Sequence, residues 1–133
     1  LDYLIMDLPP GTGDIQLSLA QNYNIDGVVL VSTPQEVALL DVMKAASMFN
    51  KVNIPIIGLI ENMSYFEDAN GDKQRIFGEG NCKKFCEQSG IEFLAEIPIN
   101  SEISQNCDAG INSDNFSSEN GNLVIDKLKD IEL

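Results

Sequence analysis

Residues 7 to 14 read Asp-Leu-Pro-Pro-Gly-Thr-Gly-Asp, and these types at this spacing suit a site for phosphate and magnesium. Asp7 closes a short apolar run, and a bound Mg²⁺ with its waters accounts for a carboxylate at the exit of a buried strand. Gly11 and Gly13 let the backbone come close to an anion, with N–H groups available to a phosphate. A plain strand-to-helix turn capped by Asp14 fits the same residues equally well. The run is not a P-loop, because the Gly-Lys-Ser/Thr step is missing.

The cysteines are the second group that could do chemistry. Cys82 and Cys86 are four residues apart, so on a helix they share a face and could reach one metal. Helix-borne cysteines also serve simply as small core residues. Together with Cys107 they make an odd, small set, which indicates reduced thiols in a cytosolic compartment and not a disulfide framework. The chain has no histidine, which excludes an imidazole base, a Ser-His-Asp triad and a His-ligated metal within it.

Charge and length exclude several classes of function and location. Against 21 Asp and Glu the 133 residues carry only 8 Lys and Arg, a net charge of −13. A basic face for nucleic acid or for an anionic membrane is therefore not expected. No run approaches eighteen apolar residues, which predicts no membrane span, and no leader resembles a signal peptide. The chain opens inside a strand-like run without an initiator Met, so we expect it to be a piece of a longer cytoplasmic protein.

Apolar periodicity and turn residues give the elements that must position these groups. Continuous apolar runs predict buried strands, which lie at residues 4–8, 27–32, 54–60 and 93–98. A 3.6-residue period or a cap predicts helices, which lie at about 14–23, 35–51, 80–89 and 123–133. Gly90 is expected to end the third of these helices. A hairpin centred on Asn70-Gly71 and a loop at 112–122 complete the chain. The alternation predicts an α/β fold with a doubly wound, mostly parallel sheet in a single domain over residues 1–133.

In such a sheet ligands bind at the carboxyl ends of the strands. The four predicted strand exits are residues 7–9, 32–34, 61–62 and 98–100. We therefore expect the side chains at these exits to face one shared site.

Several of these segments resemble one family. Residues 1–21, 33–42 and the run 58–66 with its Glu-Asn-Met-Ser step closely resemble the Mrp/ApbC family, and the resemblance continues through 76–80 and 96–98. These are deviant-Walker P-loop ATPases, related to MinD and ParA, that act as iron–sulfur cluster carriers. The resemblance implies a P-loop NTPase-like fold of which this chain is the C-terminal half, without the N-terminal strands and the Walker A loop.

The resemblance also implies roles for the residues around the phosphates. Asp7 resembles the Walker B aspartate, which acts in catalysis by holding Mg²⁺ through a water. The switch loop that senses the γ-phosphate would be formed by Pro9, Pro10, Gly11, Thr12 and Gly13. The signature lysine lies in the half that this chain lacks, so the chain alone is not expected to hydrolyse ATP.

On the base side, Asn62 resembles the asparagine that reads adenine. A primary amide suits that task because it can donate to N7 while accepting from the exocyclic amine. Pro98 and Asn100 resemble the loop beside the base. A cap at the end of a strand is the alternative role for Asn62.

The chain departs from the family at the cluster site. Many members carry Cys-x-x-Cys between the Tyr-Phe and Ile-Phe-Gly segments, and here residues 67–73 contain no cysteine. If a cluster is bound, the remaining candidates are Cys82 and Cys86, which two subunits together would supply as the four thiolates of a [4Fe–4S] cluster.

The resulting prediction is an ATP-binding and ATP-hydrolysing carrier that uses Mg²⁺, forms a homodimer and passes clusters to apo iron–sulfur proteins. Two alternatives stay open. One is a MinD/ParA-like positioning ATPase, which would need a membrane helix or a basic patch. The other is a non-catalytic, nucleotide-gated interaction module that has lost its cluster site.

Overall fold

The computed structural model describes residues 3–9, 11–110, 126 and 129. Its elements, in chain order, are α1 (Asp14–Asn22), β1 (Val28–Ser32), α2 (Glu36–Lys51), β2 (Ile56–Glu61), β3 (Phe66–Glu67), β4 (Lys73–Gln74), α3 (Asn81–Ser89), β5 (Phe93–Glu96) and α4 (Ser101–Asp108). Residues 126 and 129 are helical; the predicted loop at 112–122 and the rest of the predicted helix at 123–133 lie outside the described residues.

The three longer strands form one parallel sheet in the order β1-β2-β5. Leu30 of β1 lies opposite Leu59 of β2, and Ile60 of β2 lies opposite Ala95 of β5. The helices α2 and α3 contact each other and both contact β2, so they cover the same face of the sheet. This arrangement confirms the predicted α/β class with a parallel sheet.

The core lies between these two helices and the sheet. On α2 the buried side chains include Leu39, Ala46 and Phe49, whereas Val37 and Leu40 on the other side are exposed. This is the division that the apolar period predicts. Leu59 lies at the centre of the core with no exposed surface.

Gly58 explains how closely β2 and β5 can approach. A Cβ atom at this position would lie 2.8 Å from the backbone oxygen of Glu92 and 2.5 Å from Cγ of Leu94. The neighbouring Leu59 N–H donates to that same Glu92 oxygen at 2.8 Å. Glycine is therefore required by the strand spacing itself.

The structure overturns three local predictions. Residues 3–9 form no strand, and Leu4 and Ile5 are exposed; a strand needs a neighbour to satisfy its N–H and C=O groups, and no described strand pairs with this segment. Asp14 is not a cap, because Gly13 takes the N-cap position and Asp14 begins α1. The continuous apolar run at 27–32 predicts that β1 is buried along its whole length, but Val31 is 55% exposed.

The hairpin and the end of α3 are as the sequence predicts, and the structure has one further helix, α4. Residues 66–74 form an antiparallel hairpin in which Phe66 lies opposite Gln74. Gly90 ends α3 in the left-handed conformation, with φ of 71°. The sequence analysis did not identify α4, whose N-cap Asn100 accepts from the Glu102 N–H at 2.8 Å. In the part of the chain described, no helix combines the length and the apolar character needed to cross a membrane.

Candidate functional site

Backbone hydrogen bonds bring three strand exits together at one edge of the sheet. The N–H of Asn62, just after β2, donates to the oxygen of Ser32 at the end of β1 at 2.7 Å. On the other side the Ile97 N–H donates to the Glu61 oxygen at 2.8 Å, and the Ser64 N–H donates back to the Ile97 oxygen at 2.9 Å. The ladder therefore continues past the ends of the strands, and it places the exits of β1, β2 and β5 side by side.

Asn62 lies in the middle of this edge. Its side chain is half-buried, and its Oδ1 accepts from the Met63 N–H at 2.9 Å. Met63 itself has φ of 53°, in the left-handed region that non-glycine residues seldom adopt. The Oδ1 atom has a second lone pair, and Nδ2 donates to no described residue. The Asn62 amide can thus still donate to and accept from a ligand.

Pro98 and Asn100, which are predicted to lie beside the base with Asn62, follow the end of β5. Pro98 is half-buried and lies between Ile97 and Ile99, whose N–H donates to the Tyr65 oxygen at 2.7 Å. Asn100 is exposed, and its Oδ1 is already used to cap α4. The structure brings Asn62 close to residues 97–99, and Asn100 serves as the N-cap of α4.

The residues predicted to bind magnesium and phosphate, 7–13, lie in a segment separate from these strand exits. Asp7 is exposed and forms no ion pair with any described residue. The Pro9 oxygen accepts from Nε2 of the buried Gln16 at 2.7 Å, and Gly11 has φ of 98°. Thr12 lines an open cleft of about 390 Å³ between α1 and α2. Pro10 lies outside the described residues.

The sequence placed Asp7 at the exit of a buried strand, but residues 3–9 form no strand and Asp7 is exposed. Its carboxylate is accessible to a metal ion that also binds waters and phosphates, as many surface carboxylates are. The hydrogen bonds that residues 9–13 make with described residues run to Gln16 and Leu17, so they do not reach the strand exits. The roles of Asp7 and of the switch-loop residues therefore stay predictions.

A buried charge network, which the sequence analysis missed, is formed by residues on either side of Asn62 together with Arg75. Glu61 is 1% exposed, and its Oε1 accepts from Ser64 Oγ at 2.6 Å. Its Oε2 has no hydrogen-bond partner among the described residues. The nearest cationic atom is Nη1 of Arg75, 3.9 Å from Oε1. A carboxylate this deeply buried depends on that cation, because an unpaired charge in the interior is strongly unfavourable.

Arg75 follows β4 and joins the network to the hairpin. Its Nη1 donates to Ser64 Oγ at 3.0 Å, and its two Nη atoms donate to the two oxygens of Glu96 at 3.3 and 3.4 Å. Its Nε lies 3.2 Å from Glu79 Oε1. Burial acts to lower the pKa of Arg75, but the hydrogen bond and charge of Glu96, together with the charges of Glu79 and Glu61, outweigh it and raise that pKa. One sequence signal was available: Arg75 is the single arginine of a strongly acidic chain.

Glu96, at the end of β5, is held from a second side by α3. Lys83 Nζ lies 2.8 Å from Glu96 Oε1. Burial acts to raise the pKa of Glu96, but the hydrogen bonds from Lys83 and Arg75 lower it overall. The carboxylate is therefore ionised at neutral pH and fixes the guanidinium of Arg75 in place.

The two helix cysteines lie in the core. Cys82 and Cys86 are 0% and 3% exposed and share the face of α3 that packs on the sheet. Burial, followed by the nearby Glu61, raises the pKa of the Cys82 thiol to about 12, and the same causes raise that of Cys86 to about 11. Cys82 Sγ donates to the Thr33 oxygen at 3.6 Å.

This arrangement does not fit an iron–sulfur cluster, which needs thiolates and space. Both thiols are protonated at neutral pH, and within the described part of the chain no group of three His, Cys, Asp or Glu side chains could hold a metal ion. Cys107 is exposed on α4. Cluster ligation by Cys82 and Cys86 stays a prediction that needs its own experiment.

Comparison with known proteins places this geometry in a family. The model of the family described as ParA, NUBPL iron-transfer P-loop NTPase, matches residues 1–131. An iron-sulfur cluster carrier protein of Aquifex aeolicus is 54% identical over 112 residues, which are 83% of this chain and 30% of that protein. The iron-sulfur cluster transfer protein NUBPL of Mus musculus is 46% identical over 111 residues, which are 83% of this chain and 35% of that protein.

A solved structure is similar as well. The nucleotide-binding protein of Archaeoglobus fulgidus, in complex with ADP, has 44% sequence identity and a TM-score of 0.74, over 84% of this chain and 46% of that one. The chain thus spans about a third of the curated relatives and under half of this structure. The resemblance identified in the sequence is confirmed, and the chain belongs to the NUBPL iron-transfer P-loop NTPase family.

Proposed function

We propose that this chain forms the base side of the nucleotide site, together with the magnesium aspartate and the switch loop of its phosphate side, in an ATP-binding and ATP-hydrolysing iron–sulfur cluster carrier. The observation that carries the proposal is the convergence of three strand exits on Asn62, whose amide is still able to donate and accept. It is supported by membership of the NUBPL family and by the similar A. fulgidus protein, which is in complex with ADP.

In this proposal Asn62 reads the adenine edge with its primary amide, as a bidentate amide does with adenine elsewhere. Pro98 lies beside the base because the Ile97–Ile99 segment is hydrogen-bonded to residues 61–65. Asn100 acts through the cap that it gives α4, which fixes the end of this segment.

On the phosphate side, Asp7 would hold Mg²⁺ through a water, and the metal would neutralise charge on the phosphates. The backbone N–H groups of Gly11, Thr12 and Gly13 are the donors that could follow the γ-phosphate. Residues 3–13 contain no lysine or arginine. The signature lysine that the family resemblance implies would come from the half that this chain lacks.

The cargo in this proposal is an iron–sulfur cluster that passes from a homodimer to apo iron–sulfur proteins. Ligation by Cys82 and Cys86 would require both thiols to leave the core and to lose their protons.

Anaerobic reconstitution of the full-length protein, with iron and sulfide analysis, tests the carrier function. We expect a bound cluster that is transferred to an apo iron–sulfur acceptor, at a rate that changes when ATP is added. The Cys82→Ser/Cys86→Ser double variant is the matched comparison for the ligands. A protein that binds ATP but never retains iron would overturn the carrier proposal and favour a nucleotide-gated interaction module.

A further inference from the structure

We propose that Arg75 is a positioning residue that fixes the Asn62 turn, residues 61–64, and couples its geometry to the hairpin of residues 66–74. This inference rests on the proposed role of Asn62 in reading the base.

The turn depends on two buried side chains that flank Asn62. Glu61 and Ser64 are 1% and 0% exposed, and Ser64 Oγ donates to Glu61 Oε1 across the turn at 2.6 Å. Between them Met63 is held with φ of 53°, and the Asn62 Oδ1 accepts its N–H. A non-glycine residue persists in this conformation only where the surroundings fix it. The Glu61–Ser64 bond is the side-chain contact that closes the turn.

Arg75 completes that contact from the hairpin side. One nitrogen, Nη1, donates to Ser64 Oγ at 3.0 Å and lies 3.9 Å from Glu61 Oε1. Because Ser64 Oγ accepts from Arg75, its own proton is directed to Glu61. The guanidinium therefore sets the direction of the bond that closes the turn, and it supplies the nearest positive charge to a carboxylate with an unpartnered oxygen.

The same guanidinium is also fixed from the end of β5, through Nη1, which donates to Ser64 as well, and through Nη2. Its paired bonds to Glu96, at 3.3 and 3.4 Å, tie it to the end of β5, and Glu96 is held in turn by Lys83. Planar paired bonds of this kind hold the guanidinium in one orientation, which a lysine could not reproduce.

The hairpin is joined to the same point. Arg75 comes directly after β4, and its guanidinium carbon lies 5.8 Å from the centre of the Tyr65 ring, over which Lys73 Nζ also lies at 4.1 Å. Tyr65 follows Ser64 in the chain and is 4% exposed. A shift of the hairpin would therefore move Arg75 relative to Ser64, and with it the turn that carries Asn62.

The test is base selectivity in the full-length protein, measured as the ratio of dissociation constants for GTP and ATP by titration calorimetry. We expect Arg75→Ala to reduce the preference for ATP about tenfold, with a smaller reduction for Arg75→Lys, which retains the charge without the paired bonds. Lys84→Ala removes one positive charge from an exposed position of α3 and is the matched control, for which the ratio should not change.

A double-mutant cycle with Asn62→Ala separates this inference from the function on which it rests. If Asn62→Ala leaves the ratio unchanged, the proposed function fails whatever Arg75 does, and the inference falls with it. If Asn62→Ala lowers the ratio and Arg75→Ala does not, or if the two effects simply add, the coupling is refuted. If Arg75→Ala does not fold, Arg75→Lys decides: an unchanged ratio overturns the proposal and a reduced ratio, absent in Lys84→Ala, supports it.

Discussion

Thiol reactivity gives a quantitative test of where α3 places its cysteines. With pKa values of about 12 for Cys82 and about 11 for Cys86, the thiolate fractions at pH 8 are about 10⁻⁴ and 10⁻³. A solvated thiol of pKa about 8.5 is about a quarter ionised at that pH. Ionisation alone therefore slows the two reactions by about 2,000-fold and 200-fold relative to a solvated thiol, and burial adds to this.

The assay follows the release of coloured thiolate from 5,5′-dithiobis(2-nitrobenzoic acid) at pH 8. We expect one fast thiol, the exposed Cys107, and two that react only at the slow rate or after unfolding in urea. Below its pKa each slow rate should rise about tenfold per pH unit. Cys107→Ser is the control, since it should remove the fast phase and leave the slow ones. A second thiol reacting within tenfold of the fast phase would refute the placement of α3.

Three further predictions follow from other parts of the chain. Gly58→Ala places a Cβ 2.8 Å from the Glu92 oxygen, so the free energy of unfolding measured in urea should fall by about 1–3 kcal/mol. An unchanged midpoint of urea unfolding would contradict the strand spacing. Asp7→Asn in the full-length protein should lower Mg²⁺-dependent ATP hydrolysis about tenfold or more while changing metal-free nucleotide binding much less, and unaltered turnover would remove Asp7 from the site. Among the described strands β1 pairs only with β2, and its Val31 is 55% exposed, so the isolated chain should self-associate; light scattering that shows a monomer at all concentrations would argue against this.

The sequence was most informative where one physical signal dominated. The faces of α2 followed from the spacing of its apolar residues, and the end of α3 from Gly90. The segment 4–8 has the composition of a buried strand, yet a strand forms only with a partner, and composition does not say whether one is present. α4 was missed because Ser, Gln and Asn dilute its apolar period, although Asn100 and Glu102 already indicated a capped start.

The site shows the same division between local and long-range information. The strand exits, and with them the place of Asn62, could be predicted because parallel strands end at one edge. The pairing of Arg75 with Glu61 and Glu96 spans 14 and 21 residues of chain and has no periodic signature. The spacing of Cys82 and Cys86 gave their shared face, but only the packing of α3 shows that this face points into the core.

The central claim is that Asn62 reads the base of a bound adenine nucleotide, and ATP binding by the full-length Asn62→Ala variant tests it most directly. Loss of a bidentate contact to adenine predicts a dissociation constant for ATP about 5- to 150-fold higher, with the constant for GTP much less affected. Asn50→Ala, exposed at the end of α2 away from the strand exits, is the control and should bind both nucleotides as the wild type does. An Asn62→Ala variant with wild-type affinity for ATP would contradict the account.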